Sequence, residues 1–159
     1  MLVVSDTSPI CYLILIEQID LLPQLYGQIF IPDVVRDELA DQDAPDLVRA
    51  WISSSPEWLM TLTVTHPFDP ALMELDRGEQ AAILLAEELE ATLILMDERK
   101  GRLLARSRGL KITGLIGILD DAASMGLIDL PNTIAKLQTT NFHISSRLIQ
   151  ALLDKNNQD

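Results

Sequence analysis

The sequence predicts an α/β domain built on a short parallel sheet with helices on both faces. Short apolar runs such as "LVVS" and "TLILM" lack the polar alternation of a half-solvated sheet. Longer segments of helical periodicity separate them, the order expected of βα units. Two of the apolar runs lead directly into an aspartate, Asp6 and Asp97. Sites in parallel sheets form at these carboxyl ends of strands.

Residues 2–5 read as a buried strand. Helices are expected over 7–16 and 19–26, with Gly27 as a stop. Residues 28–31 form a second strand, and Pro32 suits the first turn of a helix running through Val34, Val35 and Leu39. Residues 44–52 are a further helix. The segment "WLMTLTV", 58–64, has β character and reads as an extra edge strand or an extended arm. Residues 77–89 form a helix, and "ATLILMD" is the clearest strand in the chain. A helix over 98–108 ends at Gly109, residues 111–113 make a short strand, and a helix over 115–125 ends at Gly126. Helical segments near 132–139 and 145–153 precede a polar tail from about 154.

At 159 residues, 48% of them hydrophobic, the chain is expected to be one domain, residues 1–159, with a core of its own. Its one cysteine, Cys11, excludes an internal disulfide and a paired-cysteine zinc site. No basic leader precedes an apolar stretch, and the run over 10–16 is broken by Glu17, too short to span a bilayer. A soluble, cytoplasmic protein with no membrane partner is expected.

The net charge of −12 ordinarily disfavours nucleic acid. However, Arg99, Lys100, Arg102, Arg106, Arg108 and Lys111, half of the 12 Lys and Arg residues, fall in one segment. This is either a solvated helix face or a basic patch on an acidic body.

Asp6 and Asp97 can converge across the top of a parallel sheet, and two helical acids can join them. Glu38 lies beside the apolar stripe of its helix, and Glu79 lies in the first turn of a strongly apolar one. Each has a local alternative. Asp6 and Asp97 can cap the helices that follow, Glu38 can belong to a solvated acidic face with Asp37 and Asp41, and Glu79 can complement a helix dipole. Gathered together, the carboxylates repel unless a cation sits among them. Oxygen-only donors suit Mg²⁺ or Mn²⁺, and the chemistry would be phosphodiester hydrolysis.

With these residues in place, the motifs "VVSDTSP", "IPDVVRDEL", "LDRGEQAAILLAEEL", "LILMDERKGRLLARSRGLKITG" and "LIGILDDAASMGLI" together resemble the PIN domain family, in particular its small prokaryotic, toxin–antitoxin-associated members. The likeness runs over nearly the full length. It implies a three-layer fold with C-terminal helices and a metal-dependent endoribonuclease acting on single-stranded RNA, as the toxin of a toxin–antitoxin pair with a small antitoxin as partner. Residue by residue, Asp6, Glu38, Glu79 and Asp97 match the four acids of the family. Asp6, Glu38 and Asp97 would hold the principal Mg²⁺ or Mn²⁺, and Glu79 would orient water or hold a second ion. Glu98 stands where a further acid is sometimes found, at a spacing unlike that of the commoner motif. Ser8 and Thr113 match small hydroxyl residues that line the site. Arg99, Lys100, Arg102 and Arg106 are the expected RNA contacts, with Arg99 and Lys100 foremost because they lie nearest Asp97.

Other classes fit less well. No Ser–His–Asp pattern exists, and His66 and His143 read as structural or surface residues. "GLIG" before a helix is too short a signal for a phosphate loop. Phosphoryl transfer to Asp6 expects a second Asp two residues on, where Ser8 stands. The alternative from the binding class is a catalytically weak PIN-fold module that acts by pairing with a partner; the acidic body and few aromatics suit it. The apolar residues Leu148, Ile149, Leu152 and Leu153 near the C-terminus would either close the core or form a homodimer face.

Overall fold

A computed structural model describes residues 1–158. Five strands, β1 (Val3–Ser5), β2 (Ile29–Pro32), β3 (Leu59–Leu62), β4 (Leu93–Leu95) and β5 (Ile112–Thr113), form one sheet in the order β3-β2-β1-β4-β5. Every pairing is parallel. The fold is α/β, as expected. The segment with ambiguous β character is an edge strand, pairing Ile29–Pro32 of β2 with Leu59–Leu62.

The helices are α1 (Thr7–Leu15), α2 (Leu21–Tyr26), α3 (Asp33–Ala40), α4 (Asp46–Ser53), α5 (Arg77–Glu88), α6 (Arg99–Ser107), α7 (Leu115–Ser124), α8 (Leu130–Leu137) and α9 (Ser146–Gln158). A 3₁₀ turn over Pro70–Leu72 was not legible from the sequence. Gly27, Gly109 and Gly126 follow their helices at positive φ, where a side chain would be strained. Pro32 departs from expectation. It closes β2 and stands in extended backbone just before α3, so its missing N–H costs no helical bond.

Strand alternation sorts the apolar residues into two cores. Val3, Ile29, Ile31 and Leu95 pack on one face with α1, α4, α7 and α8. Val4, Ile94 and Met96 pack on the other with α5 and Ala105 of α6. Both faces are covered, which is why the strands read as unbroken apolar runs. At the C-terminus, α9 continues through the polar tail to Gln158. There Lys155 reaches Asp120 of α7 at 2.8 Å. Leu152 is buried, and Ile149 and Leu153 pack against the first core. The apolar residues of α9 therefore serve the core, with Leu148 left outside at 42% exposure.

The strand order reverses direction between β1 and β4. The chain steps outward from β1 to β2 and β3, then returns to place β4 on the other side of β1. At such a reversal the connecting chains diverge and leave a crevice at the carboxyl ends of the two strands. Asp6 and Asp97 flank this crevice.

A candidate active site at the carboxyl end of the sheet

Asp6 follows β1 directly, and its N–H donates to Leu95 O of β4 at 2.9 Å. That bond fixes the aspartate at the junction of the two strands. The residue is 5% exposed. It stands at the N-cap position of α1 but makes no side-chain cap bond, so capping does not account for it. Burial pushes its carboxyl from the ordinary 3.8 up to about 7. The Asp76, Glu38 and Asp97 carboxylates push the same way, and the Thr7 amide opposes them.

Asp97 lies two residues past β4. It caps nothing on α6; its Oδ1 accepts from Leu115 N of α7 at 2.7 Å. Its Oδ2 is buried with no partner. Burial again raises its carboxyl, against the Leu115 amide, the Ser8 hydroxyl and the Arg102 guanidinium.

Glu38, on α3, leans inward as expected. Thr7 Oγ1 donates to its Oε1 at 2.7 Å. Its carboxylate lies over Gly78 of α5, where a Cβ would stand 2.0 Å from Oε1. Burial raises its carboxyl as well. Glu79 combines both roles weighed for it. It closes a capping box with Asp76, accepting from Asp76 N at 3.2 Å while Asp76 Oδ1 accepts from Glu79 N at 2.8 Å. Its other oxygen, Oε2, is buried without a partner, beside Gly101 of α6, where a Cβ would stand 2.7 Å away. Burial, then the side chain of Asp76, lifts the Glu79 carboxyl to about 8.

These four acids line one cleft of about 740 Å³. Ser8 and Glu98 line it too, Glu98 from the N-cap position of α6 with no cap bond of its own. Thr113 does not line it. Its hydroxyl turns toward Gly117 of α7, where a Cβ would stand 2.1 Å from Oγ1.

The basic segment divides. Arg108 is held by Asp69 at 2.8 Å and Glu87 at 2.6 Å. Lys100 lines the cleft but pairs with Glu74 at 3.2 Å, so it is less free than expected. Arg99, Arg102 and Arg106 surround a hollow of about 380 Å³ that Asp97 also lines. No ion pair holds these three among the described residues.

Sequence reasoning missed several contributors. Asp76 was legible as a capping-box residue, since Asp-x-x-Glu precedes an apolar run. Thr7, Gly78 and Gly101 act through contacts that only the tertiary structure makes. Tyr12, Asn141 and Phe142 form part of the cleft wall, and so does His143, an exposed surface residue as expected.

The acids offer oxygen donors only, the chemistry of Mg²⁺ or Mn²⁺. Two oxygens, Asp97 Oδ2 and Glu79 Oε2, are buried and orphaned; all four carboxyls are raised by burial, and those of Asp6, Glu38 and Glu79 also by neighbouring carboxylates, costs that a cation relieves. By donor type and electrostatics the residues fit such an ion. As placed, however, no three His, Cys, Asp or Glu side chains among the described residues close on a common point.

The molecule is thus of the parallel α/β class, with an acidic cleft at the switch point of its sheet. A family model described as a PIN domain matches residues 2–158, and the chain belongs to that family. PIN domains are in general nucleases acting on RNA and using divalent metal ions. No curated protein and no solved structure matches the chain. No helix among the described residues is long and apolar enough to cross a membrane.

Proposed function

We propose that this protein is a divalent-metal-dependent endoribonuclease that hydrolyses phosphodiester bonds in single-stranded RNA. The observation that carries this reading is the convergence of Asp6, Glu38, Glu79 and Asp97 on one cleft, two of them with buried, unpartnered oxygens. Asp6, Glu38 and Asp97 would hold the principal Mg²⁺ or Mn²⁺. A divalent ion held there would supply the positive charge needed to acidify water and to offset charge on the phosphate.

The chain's own groups do the rest. Thr7 holds the Glu38 carboxylate, and the Leu115 amide holds that of Asp97, so both acids keep fixed positions. Glu79, tied to Asp76, would orient water or a second ion with its free oxygen. Ser8 favours the charged form of Asp97. Arg99, Arg102 and Arg106 would receive the phosphates flanking the scissile bond, leaving the acidic cleft to the reacting one.

The second reading, a catalytically weak module that acts by pairing with a partner, draws on the acids' failure to close on one point as placed. A toxin role with a small antitoxin rests on the motif resemblance alone. Of the apolar residues offered for a homodimer face, Leu152 is buried and Ile149 and Leu153 pack on the core, while Leu148 stays exposed.

The deciding measurement is cleavage of a panel of unstructured RNAs in Mn²⁺, Mg²⁺ or EDTA by wild type, Asp6→Asn and Glu38→Gln. Asn preserves the size of Asp6 and keeps any capping ability. The expected result is folded variants whose cleavage falls by orders of magnitude, and wild-type activity abolished by EDTA. Activity that survives in Asp6→Asn or in EDTA would sink the catalytic reading. A wild type inactive on every RNA would favour the pairing module.

A further inference from the structure

The chain carries only two Tyr, two Trp and three Phe, too few to suggest a base-stacking surface from the sequence. Two of them nevertheless meet at the acidic cleft, which both line. Tyr12 comes from α1, one turn past Ser8, and Phe142 from the segment joining α8 to α9. Their ring centroids are 5.0 Å apart with planes at 72°, an edge-to-face pair. The edge-to-face contact occupies one ring face, and both rings, half-buried, also pack partly on the first core while lining the cleft.

The arrangement is fixed from both sides. Tyr12 Oη donates to Asn141 Oδ1 at 2.6 Å, and Phe142 N donates to Thr140 Oγ1 at 3.2 Å. Asn141 and His143, both exposed, flank Phe142 on the same wall. The rings thus stand ordered beside Asp6 and Asp97, with polar groups next to them. Rigid aromatic surface beside hydrogen-bonding groups is what an unpaired nucleobase requires.

We infer that Tyr12, Asn141, Phe142 and His143 form a nucleobase subsite, in which a base next to the scissile phosphate stacks on the Tyr12–Phe142 pair. The inference rests on the ribonuclease reading and gives it a determinant of specificity. Double-stranded RNA, whose bases are stacked on one another, is excluded by this subsite. The polar edge contacts of Asn141 and His143 select among unpaired bases.

The test uses the full chain and short unstructured RNAs carrying 2-aminopurine at each position in turn, bound in Ca²⁺, with cleavage read separately in Mn²⁺. One position should show quenching, and replacing that nucleotide by an abasic one should weaken binding to the wild type on the order of tenfold. Phe142→Leu should lose the quenching, bind the intact RNA about as weakly as the wild type binds the abasic one, and be indifferent to the abasic change. The abasic arm needs no protein variant, so it decides even if Phe142→Leu fails to fold. Cleavage without quenching at any position, or with no abasic penalty, would overturn the subsite and leave the ribonuclease reading standing. Absence of RNA binding by the wild type would overturn both.

Discussion

At the scale of single residues, the site depends on side chains that are absent as much as on those present. Gly78 lies under the Glu38 carboxylate, and a Cβ there would stand 2.0 Å from Oε1. An alanine in a helix is ordinarily favoured over glycine by up to about 1 kcal/mol. Here the obstructed atom is the far end of a flexible side chain, so Glu38 can swing aside without unfolding the protein. Gly78→Ala should therefore melt within a few degrees of the wild type while RNA cleavage falls at least tenfold. Unchanged turnover in this variant would show that the position of Glu38 does not matter to the reaction. Gly101 sets up the same contrast less cleanly, because a Cβ there meets Met96 Sδ at 2.6 Å as well as Glu79 Oε2.

At the scale of the element, α6 carries the question of how an acidic protein would hold a polyanion. Its buried side is small, Gly101 and Ala105, which seats it close to Met96 and β4. Its outer side presents Arg99, Arg102 and Arg106 around the hollow beside Asp97. If these arginines contact phosphates, changing two of them to Gln should reduce the slope of log affinity against log salt by about 0.7 per residue changed. Lys100→Gln should change that slope less, because Lys100 is already paired with Glu74. Equal effects from Lys100 and the arginines, or none from either, would return α6 to the status of a solvated face.

At the scale of the whole molecule, the fold tolerates the burial and mutual repulsion of acids at the cleft. Asp6 titrates near 7 instead of 3.8, and Glu79 near 8 instead of 4.5. Between those limits the folded protein keeps protons that the unfolded chain has released. Stability is therefore full below the lower limit and declines as pH rises through the upper one. In EDTA the melting temperature should fall as the pH is raised from about 4 to about 8. Asp6→Asn should flatten that fall, and millimolar Mg²⁺ or Mn²⁺ should restore stability at the alkaline end. A wild type whose melting is indifferent to both ions would count against the cleft as a metal site.

The sequence by itself determined the parallel α/β class, marked the four acids that line one cleft, and placed the arginines on one helix. These are written locally. A strand buried on both faces must be apolar throughout, and a polar residue that ends such a strand stands out, as Asp6 and Asp97 do. The motif order then pointed to the PIN domain family. What only the tertiary structure decided is what each residue meets. It made Asp97 the partner of Leu115 on α7 rather than a cap for α6, turned Thr113 away from the cleft, and paired Lys100 with Glu74. It also carried α9 through the polar tail and brought Phe142 to Tyr12. Periodicity and capping report on neighbours within a few positions along the chain. These contacts join residues brought together by the reversal of strand order and by the return of the C-terminal segment over the sheet, and no local pattern encodes that meeting.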